Sequence, residues 1–143
     1  MGGYGHRKIN QVVIHCSYTP PSMDIGVDTI IDWHVYENGW DDIGYHYVIT
    51  RDGKIEAGRP VEVPGAHVRG HNADSIGICL IGGMTEDKQS ADSNFSHWQW
   101  DALSELLNKL EVSYGKLDVV GHRDLDSSKE CPCFDVQAWV ADP

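Results

Sequence analysis

The chain has 143 residues, 41% hydrophobic and 23% charged, which suits one soluble domain whose core needs no disulfide staples. With 22 acidic residues against 11 basic ones the formal net charge is −11, a field that repels phosphate backbones and anionic membranes, so neither is an expected partner. No apolar run is long enough to cross a bilayer, and Met1 to Lys8 lacks the apolar h-region of a secretory signal, so synthesis in a cytoplasm is expected.

Residues 1–10 read as an N-terminal extension and residues 11–143 as the single domain. Gln11 to His15 is a buried strand. Val27 to Asn38 is a helix with Val27, Ile30, Ile31 and Val35 on one face and Gly39 as its stop. Gly44 to Thr50 and Lys54 to Ala57 are strands joined at Arg51-Asp52-Gly53, where Asp-Gly signals a hairpin. Ser75 to Ile81 is another buried strand, and Ala91 to Asn94 is an exposed loop. Ser96 and Gln99 form a capping-box pattern at the start of a long helix with an apolar stripe of Ala102, Leu103, Leu106, Leu107 and Leu110. Leu117 to Val120 is the last strand, and Asp135 caps a short helix carrying Val136 and Trp139. Strands and helices interleave, so the fold class is α/β, a mixed central sheet with helices packed on it.

Four cysteines in a cytoplasmic chain read as thiols or ligands, not as a disulfide framework. Cys79 sits inside the run Ile76 to Ile81 and reads as a small buried hydrophobe. Cys16 follows His15, and adjacent strand residues point to opposite faces; if His15 faces a metal, Cys16 faces the core. His15 and His122 each close an apolar strand, and Cys131 follows nine residues after the second. Two imidazoles and a thiolate leave a tetrahedral zinc one open position, the arrangement of a catalytic site. The bland reading, two strand-end histidines and a buried thiol, wins on composition alone. Cys131-Pro132-Cys133 also offers two thiols, and either can reach a metal.

Longer stretches of the chain carry a resemblance. Val13-Ile14-His15-Cys16-Ser17, Trp33-His34, Gly39-Trp40 followed by Ile43-Gly44-Tyr45-His46-Tyr47, Arg51-Asp52-Gly53, Gly65-Ala66-His67, Ser75 to Leu80, Gly121-His122-Arg123-Asp124 and Lys129-Glu130-Cys131-Pro132 recur in one order. Together they resemble the zinc-dependent N-acetylmuramoyl-L-alanine amidases, in particular the small phage lysozymes of amidase type, whose fold is shared by peptidoglycan recognition proteins. The resemblance spans roughly residues 11 to 140.

That resemblance implies one zinc per chain held by His15, His122 and Cys131, with Cys133 left as a bystander. It implies Tyr45 and Lys129 as catalytic residues, the first hydrogen-bonding the attacking water or the carbonyl and the second supplying positive charge to the oxyanion. His34, His67 and Asn72 are implied to contact the muropeptide. Read without it, Tyr45 is a half-buried strand aromatic, Lys129 a solvated loop lysine and His34 a residue near a helix end. His46 alternates with Tyr45 and reads as structural; His6, His71 and His97 read as surface, and Trp98 and Trp100 as core or staple residues.

The implied activity is hydrolysis of the amide between the lactyl group of N-acetylmuramic acid and L-alanine, by a monomer that binds peptidoglycan stem peptide and muramic acid and reaches the periplasm or cell wall on lysis. The chain has no His-Glu-x-x-His helix and shows no pair of carboxylates set for glycoside cleavage. Two alternatives stand beside the enzyme: a peptidoglycan-binding module that has lost catalysis, and a regulator of a phage RNA polymerase, an activity of one branch of these amidases. Non-catalytic relatives typically lack the metal cysteine or the active-site tyrosine, and this chain has both.

Overall fold

The computed structural model describes residues 7–141. Its strands are β1 (Gln11–Cys16), β2 (Tyr47–Ile49), β3 (Ile55–Ala57), β4 (Ser75–Leu80) and β5 (Asp118–Gly121), joined in one sheet of order β3-β2-β4-β1-β5. β1 lies between β4 and β5 and is parallel to both, β2 is parallel to β4, and only β3 runs antiparallel. This is the mixed sheet expected from sequence. The inner strands are apolar at almost every position because both faces are covered.

One face carries Val12, Ile14 and Cys16 of β1 with Ile76, Ile78 and Leu80 of β4, packed under α2 (His97–Tyr114) and α4 (Val136–Ala141). The other carries Val48, Cys79 and Ile81 under α1 (Val27–Ile31), whose Ile30 is fully inside. The expected burial of Cys79 and the expected inward turn of Cys16 are both observed.

α2 starts where the capping box places it: the Ser96 hydroxyl accepts from the Gln99 N–H, and the Gln99 Oε1 accepts from the Ser96 N–H. Buried Gln99 also donates through Nε2 to the carbonyls of Ile49 and Ile81, so one side chain ties the helix start to the ends of β2 and β4. Asp135 caps α4 by accepting from the Ala138 N–H at 3.1 Å.

Several expectations are corrected. The first helix is α-helical only to Ile31; Asp32–Glu37 winds on as a π-helix before Gly39 turns the chain at φ 77°. The strand expected from Gly44 to Thr50 shrinks to Tyr47–Ile49, because residues 44–46 spend their backbone groups on loops: Ala66 N–H donates to Gly44, Arg59 N–H to Tyr45 and Gly58 N–H to His46. Residues 7–10, read as part of an extension, are bound to the domain. Ile9 is buried, and the Arg7 guanidinium donates to the carbonyls of Val61, Ala73 and Ser75. Trp98 lies on the solvent side of α2 at 56% exposure, whereas Trp100 packs among Phe95, Phe134 and Trp139. His97 is exposed, His71 is half-buried, and His6 lies outside the described residues.

Gln99→Leu is expected to lower unfolding free energy by about 2–3 kcal/mol, since it strips the helix cap and leaves buried carbonyls without a donor. Urea denaturation followed by circular dichroism measures this, and a loss under about 0.5 kcal/mol would show that the tie carries no weight.

Candidate metal centre

β1 delivers His15 on the α1 face of the sheet at 1% exposure, in register with Cys79 of β4. β5 ends one residue before His122, which opens a single-turn helix, α3 (His122–Leu125); the Gly121 N–H donates to Asp124 Oδ2 at 2.7 Å and fixes that turn. Cys131 follows on a loop held to α3 by the Arg123 N–H, which donates to the Cys131 carbonyl at 2.9 Å. The three meet. His15 Nδ1 lies 3.2 Å from His122 Nδ1 and 4.0 Å from Cys131 Sγ, and all three donor atoms fall within 4.8 Å of one another. A tetrahedral zinc with ordinary bond lengths needs about 3.3 Å between two nitrogens and about 3.6 Å between nitrogen and sulfur, so the donor set fits such an ion.

Which nitrogen His15 presents follows from the residues behind it. The Ser75 hydroxyl donates to the His71 carbonyl at 2.7 Å, so its oxygen is left to accept from His67 Nε2 at 3.2 Å. His67 then carries its proton on Nε2, and its Nδ1 accepts from His15 Nε2 at 2.8 Å. The lone pair of His15 is therefore on Nδ1, toward His122 and Cys131. Room for this stack comes from Gly77 of β4, where a Cβ would stand 2.6 Å from His67 Cγ.

The electrostatics agree with that order. Burial pushes His67 down to about 2 and also lowers His15, so both rings are neutral. The Cys131 thiol is held well below its ordinary value, first by a hydrogen bond from the Cys16 thiol and then by His122 and His15, against the opposing effect of burial. Neutral imidazoles and a thiolate are the protonation states a divalent metal takes.

A cleft of about 380 Å³ opens beside the three, lined by Tyr45, His122, Lys129 and Cys131 together with Cys16, Tyr18, Ser128 and Glu130. The Tyr45 ring lies 5.1 Å from that of His15, and its hydroxyl is pushed well above the usual range, chiefly by burial, so it stays a phenol. Lys129 is exposed at the rim. His34 reaches the same region: its ring packs on Trp40 and Tyr45, and its Nδ1 accepts from the Gly44 N–H at 2.9 Å. His67 and Asn72 are elsewhere. His67 lies buried beneath His15, and the Asn72 side-chain carbonyl accepts from the N–H groups of His67 and Val68, so both support the site from behind instead of lining the cleft. Tyr18, in the left-handed region at φ 57°, joins the cleft with no more signal along the chain than its place three residues after His15.

Residues 5–134 match the family model described as N-acetylmuramoyl-L-alanine amidase. The chain belongs to that family. It is 43% identical over 134 residues to the endolysin of Enterobacteria phage K11, covering 94% of this chain and 87% of that one, and equally similar over 133 residues to the endolysin of Escherichia phage T7, with coverage of 93% and 86%. Among solved structures, the N-acetylmuramoyl-L-alanine amidase LysC from Clostridium intestinale superposes with a TM-score of 0.79 at 28% identity, covering 96% of this chain and 88% of that one. A complex of tracheal cytotoxin with the peptidoglycan recognition proteins LCa and LCx gives 0.78 at 26% identity, with coverage of 96% and 83%. The protein is an amidase that hydrolyses peptidoglycan, with the sheet and helices common to these structures. The candidate metal ligands sit at the point where its β1, α3 and the Cys131 loop converge.

The buried rings also set the acid limit of the fold. His46 donates to the Val63 carbonyl through Nε2, accepts from the Gly77 N–H through Nδ1, and is pushed down to about 4 by burial. In the folded chain His46 and His67 are neutral, whereas both take up protons near 6.5 once unfolded. Their contribution is complete above that value and is lost as pH falls through it toward 4 and below. Urea midpoints are expected to drop between pH 7 and pH 4.5, with His46→Gln flattening the slope by up to about 1.4 kcal/mol per pH unit. An unchanged slope in the variant would remove His46 from this account.

Proposed function

We propose that the amidase works with one zinc per chain held by His15 Nδ1, His122 Nδ1 and Cys131 Sγ, and that its substrate is the amide between N-acetylmuramic acid and L-alanine of peptidoglycan. The observation that carries this is the convergence of two nitrogens and one sulfur within 4.8 Å at the floor of an open cleft. A zinc in that position supplies a water of lowered pKa and a Lewis acid for the amide carbonyl. Three protein ligands leave a coordination position for these tasks, which distinguishes the site from a closed structural one.

The remaining roles belong to the chain. Tyr45, kept protonated by its half-buried setting beside His15, donates a hydrogen bond toward the oxygen that gains negative charge. Lys129, at the rim of the same cleft, supplies positive charge to that oxygen and gives up little on desolvation because it starts exposed. His34 and Trp40 offer a wall for the muropeptide beyond Tyr45. His67 and Asn72 serve as supports: His67 fixes the tautomer of His15, and Asn72 holds the His67 backbone. Synthesis in the host cytoplasm, release to the wall on lysis and action as a monomer complete the reading. The tracheal cytotoxin complex among the structural relatives supports a peptidoglycan fragment as the ligand class.

Cys131→Ser is expected to strip or greatly weaken zinc, since a hydroxyl is a much poorer ligand than a thiolate, while Cys133→Ser keeps zinc near stoichiometric. Metal analysis after gel filtration decides, and the reverse ranking would make Cys133 the ligand. Tyr45→Phe and Lys129→Ala should hold zinc and fold but lose turnover by roughly 2.7–4 kcal/mol of barrier each. A Lys129→Ala rate within a few-fold of the parent would leave that residue a rim lysine.

Digested peptidoglycan should yield stem peptides with a new L-alanine amino terminus and no new reducing sugar ends. Chelation should stop that release and zinc restore it. New reducing ends without new amino groups would place the cut at a glycosidic bond and end the amidase assignment of the substrate bond.

A further inference from the structure

Beside the metal centre, on the α2 face of the sheet, a second sulfur pair adjoins the ligand set. Cys16 Sγ, at the end of β1, lies 3.7 Å from Cys133 Sγ, although 117 positions separate the two residues. Cys131 lies next to the pair and also reaches the histidines, its sulfur 3.1 Å from the Cys16 backbone nitrogen and 4.0 Å from His15 Nδ1. Cys79 is fully buried on the opposite face.

The backbone around the pair is shaped to hold it. Cys133 occupies the left-handed region at φ 73°, a conformation that non-glycine residues adopt only when the surroundings impose it. Across from it Gly83, at φ 98°, has no side chain, and a Cβ there would stand 2.7 Å from Cys16 Sγ and 3.4 Å from Cys133 Sγ. The chain is brought to this spot by the Thr19–Gly83 bridge and by the Cys133 N–H, which donates to the Glu130 carbonyl at 2.7 Å.

We propose that Cys16 and Cys133 are a disulfide-forming pair, a redox modification site that locks the Cys131 loop to the end of β1 while leaving Cys131 to the metal. The oxidant is a small exogenous disulfide of the glutathione class. Cys133, the more exposed thiol, attacks it as thiolate, forming a mixed disulfide and releasing one glutathione thiolate. Cys16 then attacks the Cys133 sulfur, forming the Cys16–Cys133 bond and expelling the second glutathione. Two protein thiols are oxidised, one glutathione disulfide is reduced to two thiols, and the sulfurs close by about 1.7 Å to reach bonding distance. In a reducing cytoplasm the pair stays as two thiols; outside it the bond closes. That last step rests on the release to the wall proposed above, whereas the pairing itself rests only on this geometry.

The test uses the full zinc-loaded chain, reduced and then exposed to oxidised glutathione, with a non-reducing peptide map, alkylation of remaining thiols and zinc analysis. The expected product is monomeric and about 2 Da lighter, links the Cys16 and Cys133 peptides, leaves Cys79 and Cys131 free to alkylate after unfolding, and keeps its zinc. Because the bond closes so long a loop, its melting temperature should exceed that of the reduced form by roughly 5 °C or more. Cys133→Ser, a change at a half-buried position, should show neither the link nor the shift. A bond that contains Cys131, a glutathione adduct that stays on Cys133, or four alkylatable thiols after treatment would overturn the proposal. A correct link in a protein that never held zinc would fail the metal reading alone.

Discussion

The whole of the proposed metal site hangs on a histidine that must be buried and yet must offer one particular nitrogen. Burial removes the charged form of His15, and a neutral imidazole has two tautomers, of which only one turns a lone pair to His122 and Cys131. The choice is made by a line of groups that ends in a backbone carbonyl: His71 accepts from Ser75, Ser75 accepts from His67, and His67 accepts from His15. A carbonyl has no proton to give, so the direction of the whole line is fixed from its far end. The sheet supplies the geometry. Gly77 faces the stack from β4, and its missing side chain is the space that His67 fills.

The two faces of the sheet divide the labour. On the α1 side, β1 and β4 present His15 and Cys79, and the rings of His67, Tyr45 and His122 gather around His15. On the α2 side, the alternate residues of the same strands build an aliphatic layer with Leu103, Leu106 and Leu110. Burial of those leucines, worth about 1.5–3 kcal/mol each, anchors α2 to the strands that carry the polar stack on their other face. Cys16 belongs to the aliphatic side by strand alternation, yet it ends where the chain returns with Cys131 and Cys133.

Much of this was readable along the chain because it depends on local order. Apolar runs ending in His15 and in His122 marked the strand ends, Ser96 and Gln99 marked the helix start, and alternation placed Cys16 opposite His15. What escaped depends on residues distant in sequence. His67 looks like any loop histidine until Gly77 and Ser75 come beside it, and nothing near Asn72 says that its carbonyl is taken by the backbone of His67 and Val68. The π-helical winding of Asp32–Glu37 and the single turn that opens at His122 lie in segments too short for a periodic signal. Trp98 misled for a different reason: helix phase turns it outward while Trp100, two residues on, turns in.

The position of β1 in the sheet has a consequence for how the protein comes into being. It is made first but sits between two strands made later, β4 and β5, each pairing with it in parallel. As the ribosome extends the chain, β1 and β4 can join early, but the far edge of β1 waits for residues 118–121, and the last donor atom waits for residue 131. Parallel pairings of this span close slowly, because a long loop must be ordered before any contact rewards it. The proposed hydrolytic centre therefore assembles only after β5 and the Cys131 loop are made, and a nascent chain short of them carries its histidines without bringing them together. A wall-degrading activity encoded this way is silent until residue 131 has been made and folded back onto β1.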